Sequence, residues 1–206
     1  NSVDVIAKII ERDENLNSPN NKRAAKLRAK TVMFDEMTPS IIMAGFPMLD
    51  WIDIAMSPVC LPGEVDQNAN IMYVDAAERM GLAADVCPLP SAEVGCAIVD
   101  DYPQVGSSFI TSSMPCDGSL GAALFMDRYM KKLPSFTLTP PQRFNEPETN
   151  AYAVKDLKNC IRFIEETYDV KWDWDAFWKE AEEYNKTTQC MLDKWDVNCT
   201  PYPQVI

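Results

Sequence analysis

Seven cysteines and no histidine set the chemistry open to this 206-residue chain. Without imidazole there is no Ser-His-Asp or Cys-His pair, no His-ligated zinc and no imidazole base. Thiolates, carboxylates, hydroxyls and backbone dipoles remain. Three of the cysteines fall in "DVCPLPSAEVGCAIVDDYPQVGSSFITSSMPCDGS", residues 85–119, without a C-x-x-C among them. Cys87 precedes Pro88 and a helix start at Pro90-Ser91; Cys116 precedes Asp117-Gly118-Ser119 and the apolar run "LGAALFM". A thiol just upstream of a helix meets the positive end of the dipole and unpaired N–H groups, a setting that suits a thiolate. Thiolates are what iron–sulfur clusters bind. Spacing alone leaves a plainer alternative open, in which both cysteines are small buried hydrophobes. Cys96 and Cys160 fall on helix faces and read as core, while Cys60 in "SPVCLPGE" is ambiguous.

Composition narrows the partners. With 31 acidic against 19 basic residues the net charge is −12, so the chain repels a phosphate backbone and nucleic acid is excluded as a partner. The basic cluster Lys22, Arg23, Lys26, Arg28 and Lys30 reads as a solvated helix face, or else as a local landing site for an anion. Apolar runs such as "SIIMAGFPML" are too short to span a bilayer, so no membrane role is expected. The opening "NSVDVIAKIIERDENLN" lacks the basic start of a signal peptide, and an odd cysteine count suits a reducing compartment. A cytoplasmic protein is expected, in which the sequons at Asn185 and Asn198 are chance matches. No G-x-G-x-x-G, Walker loop or internal repeat is present.

The elements that would position the cysteines follow from periodicity. Helices are expected over residues 3–12 and 22–34, a further helix from Pro39 to about Gly45, and a short strand near Trp51–Met56. Strands are expected at Ser107–Ser113 and Ser135–Thr139, both rich in β-branched and aromatic residues, with a helix over Ser119–Lys131 between them. Strand, helix, strand at this spacing is a βαβ unit and predicts a parallel sheet with helices on its faces. After "TPPQRFNEPET" two long helices follow, one striped by Val154, Leu157, Ile161, Ile164 and Tyr168. The other starts after an Asp173 N-cap and is striped by Trp174, Phe177, Ala181, Tyr184, Met191 and Trp195. These aromatics read as core or helix-pair packing, so that truncating Phe177 or Trp195 would cost on the order of 3–5 kcal/mol if buried. An exposed Trp174/Phe177/Tyr184 face would instead mark a docking surface for a further domain.

The stretch "CPLPSAEVGCAIVDDYPQVGSSFITSSMPCDGS" resembles the 2-hydroxyacyl-CoA dehydratase and benzoyl-CoA reductase family, as do "SFTLTPP", "AVKDLKNCIRFIEETYDVKWD" and "DAFWKEAEEYNKT" further on. The likeness runs over roughly residues 30–206. It implies the N-terminal domain of a two-domain fold: an α/β, Rossmann-like parallel sheet flanked by helices, ending in a C-terminal pair of long helices. Residues 1–34 would be an N-terminal helical segment, 35–150 the cluster-bearing α/β domain, and 151–206 a helical extension toward a second domain. In the family a 4Fe-4S cluster is held by three cysteines. Two of them match Cys87 and Cys116, and the third belongs to a second, C-terminal domain. The chain is then expected to be part of a longer protein or a truncated paralogue, and inactive by itself. "QVGSS" stands where the family has a "KPD" turn.

The resemblance also implies an activity. It is that of an oxygen-sensitive iron–sulfur (R)-2-hydroxyacyl-CoA dehydratase, a lyase of anaerobic metabolism. Its partners would be the acyl-CoA substrate, a second dehydratase subunit and an ATP-dependent activator protein. The activator injects one electron, the thioester carbonyl becomes a ketyl radical anion that expels the 2-hydroxyl as water, and the electron is recycled. Ser112 and Ser113 would act as catalytic hydroxyls donating hydrogen bonds to the cluster or thioester, unless they merely form the turn. Cys87 and Cys116 should then face one cleft at the carboxyl side of the sheet, with sulfurs roughly 6–7 Å apart. A benzoyl-CoA-reductase-type subunit and a non-catalytic electron-relay or interaction domain are the alternatives.

Overall fold

The computed structural model describes residues 22–35, 38–53, 66, 68–85, 87–102, 105–114, 118–122, 133–141 and 146–199. Cys60, Cys116 and the helix expected over residues 3–12 lie outside them, as does most of the expected Ser119–Lys131 helix, of which residues 119–122 are described and helical. Four strands form one all-parallel sheet: β1 (Thr31–Phe34), β2 (Asp50–Asp53), β3 (Ser108–Ser112) and β4 (Ser135–Leu138), in the order β2-β1-β3-β4. The parallel pairing of β3 with β4, Ile110 opposite Phe136, is the arrangement the βαβ spacing predicts. Three of the four residues of β1 and all five of β3 are buried, as strands covered on both faces must be.

Strand alternation divides the core into two layers. Met33 and Phe109, directly paired, face the helices α2 (Ile71–Arg79) and α3 (Pro88–Ile98) through Ala77, Val94 and Cys96. Those two helices approach closely because Gly95 carries no side chain: a Cβ there would overlap the carbonyl of Tyr73. On the opposite face Phe136 meets Phe163 of α4 (Pro147–Tyr168), ring centres 5.6 Å apart, and Cys160 and Ile164 of the same helix are buried.

One expected helix is shorter than its sequence suggests. The helix predicted over 22–34 stops at Arg28 as α1 (Lys22–Arg28), and Thr31–Phe34 is a strand. Four β-branched or bulky apolar residues in a row suit a fully buried strand better than the end of a charged helix.

The chain divides into two compact units. The larger comprises Asn1–Thr38 and Met48–Val170 and contains the sheet. The smaller comprises Pro39–Pro47 and Lys171–Ile206. Its described part is a short 3-10 helix, Ser40–Gly45, packed against the first turns of α5 (Trp174–Asn198). Phe46 is fully buried edge-to-face on Trp172 at 5.2 Å, and Gly45 lies so close to that indole that a Cβ would fall 2.5 Å from it. Asp173 caps α5 as expected, its Oδ1 accepting the N–H groups of Asp175 and Ala176. The aromatic stripe of α5 departs from expectation. Phe177 is half-buried against Trp172 and Trp174, but Trp174, Tyr184, Met191 and Trp195 are exposed, so most of that stripe is surface and not core.

Candidate functional site

The strand order fixes where an open α/β sheet can hold a ligand. From β1 the chain goes outward to β2; from β3 it goes the other way, to β4. The switch point therefore lies between β1 and β3, and the crevice outside their carboxyl ends is the place such folds use. Asp35 is the first residue after β1, and Ser112 to Met114 are the last described residues as β3 ends.

Those residues are tied together by hydrogen bonds. Alternate N–H groups of a strand face alternate neighbours. Phe109 and Ser113 donate to the carbonyls of Pro134 and Leu138 on the β4 side, at 3.0 and 2.9 Å, so the N–H of Ser112 faces β1. The ladder reaches Asp35, whose N–H donates to the Ile110 carbonyl at 3.1 Å. The next acceptor in line would be the Asp35 carbonyl, but that oxygen takes the N–H of Thr38 at 3.2 Å. The Asp35 side chain replaces it: Oδ2 accepts the Ser112 N–H, and Oδ1 accepts the Thr38 hydroxyl at 2.6 Å. The Ser112 hydroxyl oxygen in turn accepts the N–H of Met114 at 3.2 Å. Ser112 and Ser113 are both buried.

A second carboxylate closes β4 in the same way. The N–H of Thr139 donates to Asp156 Oδ2 at 2.8 Å, and the Thr139 and Tyr152 hydroxyls are 2.8 Å apart. Asp156 and Tyr152 belong to the first half of α4. Its last residue, Tyr168, reaches the opposite edge, where its hydroxyl donates to the Thr31 carbonyl at 2.9 Å and meets Ser107 and Ser108 at 3.1 and 2.7 Å. Helix α4 thus runs antiparallel to the strands and braces both ends of the sheet. Burial raises the pKa of Tyr168, so it stays a neutral phenol in this role.

The cysteines separate by environment. Cys87 is exposed and immediately precedes α3, whose first residue is Pro88, the position where a missing N–H costs nothing. Its carbonyl accepts the Ser91 hydroxyl at 3.0 Å. Cys96 and Cys160 are buried, and loss of hydration pushes both thiols up to about 12. Cys190 and Cys199 are exposed on or just after α5. Cys116 lies outside the described residues, so its sulfur and that of Cys87 are not placed against each other. Among the described residues no three cysteine or carboxylate side chains gather as a metal site.

Comparison with protein families places most of this chain. Residues 62–206, well over half of the chain, match the model of the 2-hydroxyglutaryl-CoA dehydratase D-component family. The chain belongs to that family. As a member of the D-component family it is one component of a multi-subunit dehydratase, in agreement with the resemblance carried by Cys87 to Ser119. No curated protein matches the chain. Among the described residues of this D-component family member, no helix is long and apolar enough to cross a membrane. Asp35 and Thr38 are the residues at the switch point that the sequence did not single out. An Asp directly after a β-branched apolar run was the available signal, and it is a weak one.

Proposed function

We propose that this chain contributes the cluster-bearing part of an (R)-2-hydroxyacyl-CoA dehydratase, a lyase that removes water from the 2- and 3-positions of an acyl-CoA. Cys87 and Cys116 would be two ligands of a 4Fe-4S cluster, with a third cysteine supplied from elsewhere in the enzyme. The observation that carries this reading is the exposed thiol at the start of a helix that packs on the sheet, in a chain whose switch point ends in two buried serines. Helix α3 packs along the sheet and hands over to the amino end of β3, so its own start points toward the carboxyl edge, where Ser112 and Ser113 lie.

What supports this reading is the setting of the one proposed ligand that is described. Cys87 is available, whereas Cys96 and Cys160 are held as thiols in the core and cannot compete as ligands. A bound cluster would supply one low-potential electron to the substrate's thioester carbonyl, delivered by an ATP-dependent activator and recovered when water has left. The chain's own residues bind and orient. The Ser112 oxygen accepts from Met114, which leaves its proton free to be donated outward to cluster sulfur or thioester oxygen. Burial of Ser112 and Ser113 excludes water there and strengthens any bond they make.

The test is anaerobic purification of the full-length protein with its partner subunit. Expected are brown colour, iron and acid-labile sulfide, and dehydration of a 2-hydroxyacyl-CoA that requires ATP and the activator. Cys87→Ser and Cys116→Ser should each lose iron and activity while unfolding at the wild-type denaturant midpoint. Variants that retain wild-type iron would remove these two residues from the reading.

A further inference from the structure

We infer that Asp35 is a positioning residue of this site: its carboxylate completes the β1–β3 ladder where the backbone cannot, and so fixes the turn Ser112–Met114. The inference rests on the dehydratase reading and adds a residue to it. The geometry is specific. The Asp35 carbonyl is engaged by the Thr38 N–H and does not pair with Ser112, so without the side chain the buried N–H of Ser112 would lose the acceptor it has. A buried donor without a partner costs about 1–3 kcal/mol, enough for the turn to relax toward another arrangement. The Thr38 hydroxyl, which also lies 3.3 Å from the Ile110 carbonyl, holds the carboxylate in orientation.

β1 ends at Phe34, opposite Ile110, two residues before β3 ends at Ser112, and the Asp35 carboxylate holds the part of β3 that runs past it. The anchor holds the backbone of Ser112 itself, and the Ser112 hydroxyl oxygen holds the N–H of Met114. The hydroxyls of Ser112 and Ser113 point where the Asp35 anchor sets them. A displacement of about 1 Å at reacting groups can cost on the order of 100-fold in rate. Asp35 acts through Ser112 and is not itself a reacting group.

The test uses the assembled full-length enzyme and three variants. Asp35→Asn keeps an acceptor for the Ser112 N–H, and its amide can donate to Thr38, whose hydroxyl then donates to Ile110. It should retain kcat within about threefold and wild-type amide-exchange protection over Ser112–Met114. Asp35→Ala should speed exchange at those amides by about tenfold or more and lower kcat on the order of 100-fold, with KM nearly unchanged. Thr38→Val, which keeps the core filled, should give an intermediate fall of roughly fivefold to tenfold. It also decides the matter if Asp35→Ala does not fold. Wild-type kcat and exchange in Asp35→Ala or Thr38→Val would overturn the inference, as would an Asp35→Asn variant as slow as Asp35→Ala. A wild-type enzyme with no iron and no dehydration would defeat the dehydratase reading instead, and leaves the exchange result to judge the anchor separately.

Discussion

The N–H of Ser112 donates to the carboxylate of Asp35, 77 positions earlier in the chain, at the edge where β1 and β3 diverge. One strand further along, Asp156 does the same for Thr139 from a helix. Two adjacent strand ends are therefore each closed by a side-chain acceptor.

The Asp156 anchor yields a stability prediction away from the proposed cluster ligands. Asp156→Ala should destabilise the protein by about 1–3 kcal/mol, because the Thr139 N–H loses its acceptor. Asp156→Asn should recover most of that. Urea unfolding followed by far-ultraviolet dichroism measures both, and equal stability of Asp156→Ala and wild type would mean that water replaces the bond at no cost.

At the other edge, Tyr168→Phe keeps the ring and removes only the hydroxyl shared by Thr31, Ser107 and Ser108. A loss of about 1–3 kcal/mol is expected, read as a lower midpoint at unchanged m-value.

Thiol chemistry should sort the cysteines. In the folded chain Cys87, Cys190 and Cys199 are exposed and should react with a maleimide in minutes, whereas Cys96 and Cys160 should react only in denaturant. The same burial predicts an alkaline limb. Folded Cys96 and Cys160 hold their protons to about 12, against an ordinary value of 9.0. Above pH 9 the unfolded chain binds fewer protons than the folded one, so stability falls as pH rises from 9 toward 12 and is unaffected by these groups below 9. A double Cys96→Ala, Cys160→Ala variant should show a shallower decline over that window.

Exposure on α5 reverses the cost assigned from sequence to one aromatic. Trp195→Ala should change the stability of this chain by no more than about 0.5 kcal/mol, whereas Phe177→Ala, half-buried among indoles, should cost about 2 kcal/mol. Denaturant titration of the two variants checks the contrast.

Much of the sheet was legible because its signals are local. The runs "SSFITSS" and "SFTLT" state β3 and β4 within a residue at each end, and the spacing between them requires a crossover, hence a parallel pair. The Asp173 cap and the 3-10 segment after Pro39 were equally plain. β1 was not, because "AAKLRAK" carries helical character up to a four-residue strand buried on both faces, which shows no alternation to betray it. The stripe of α5 misled for a physical reason: periodicity says that residues share a face, and not whether anything in the chain covers it. The role of Asp35 could not be read from its weak local signal. Its role exists only once β1 and β3 lie side by side in register, which no window of sequence contains.

The two-segment make-up of the smaller unit has a consequence for biosynthesis. Ile42, Met43 and Phe46 leave the ribosome early, but the indole that covers Phe46 belongs to Trp172, more than a hundred residues later. While the other three strands and α4 are being translated, these apolar side chains wait without their native cover. Newly made chains exposing such a segment are prone to aggregate. The cover of this short stretch after β1 is therefore completed only when the start of α5 has been made.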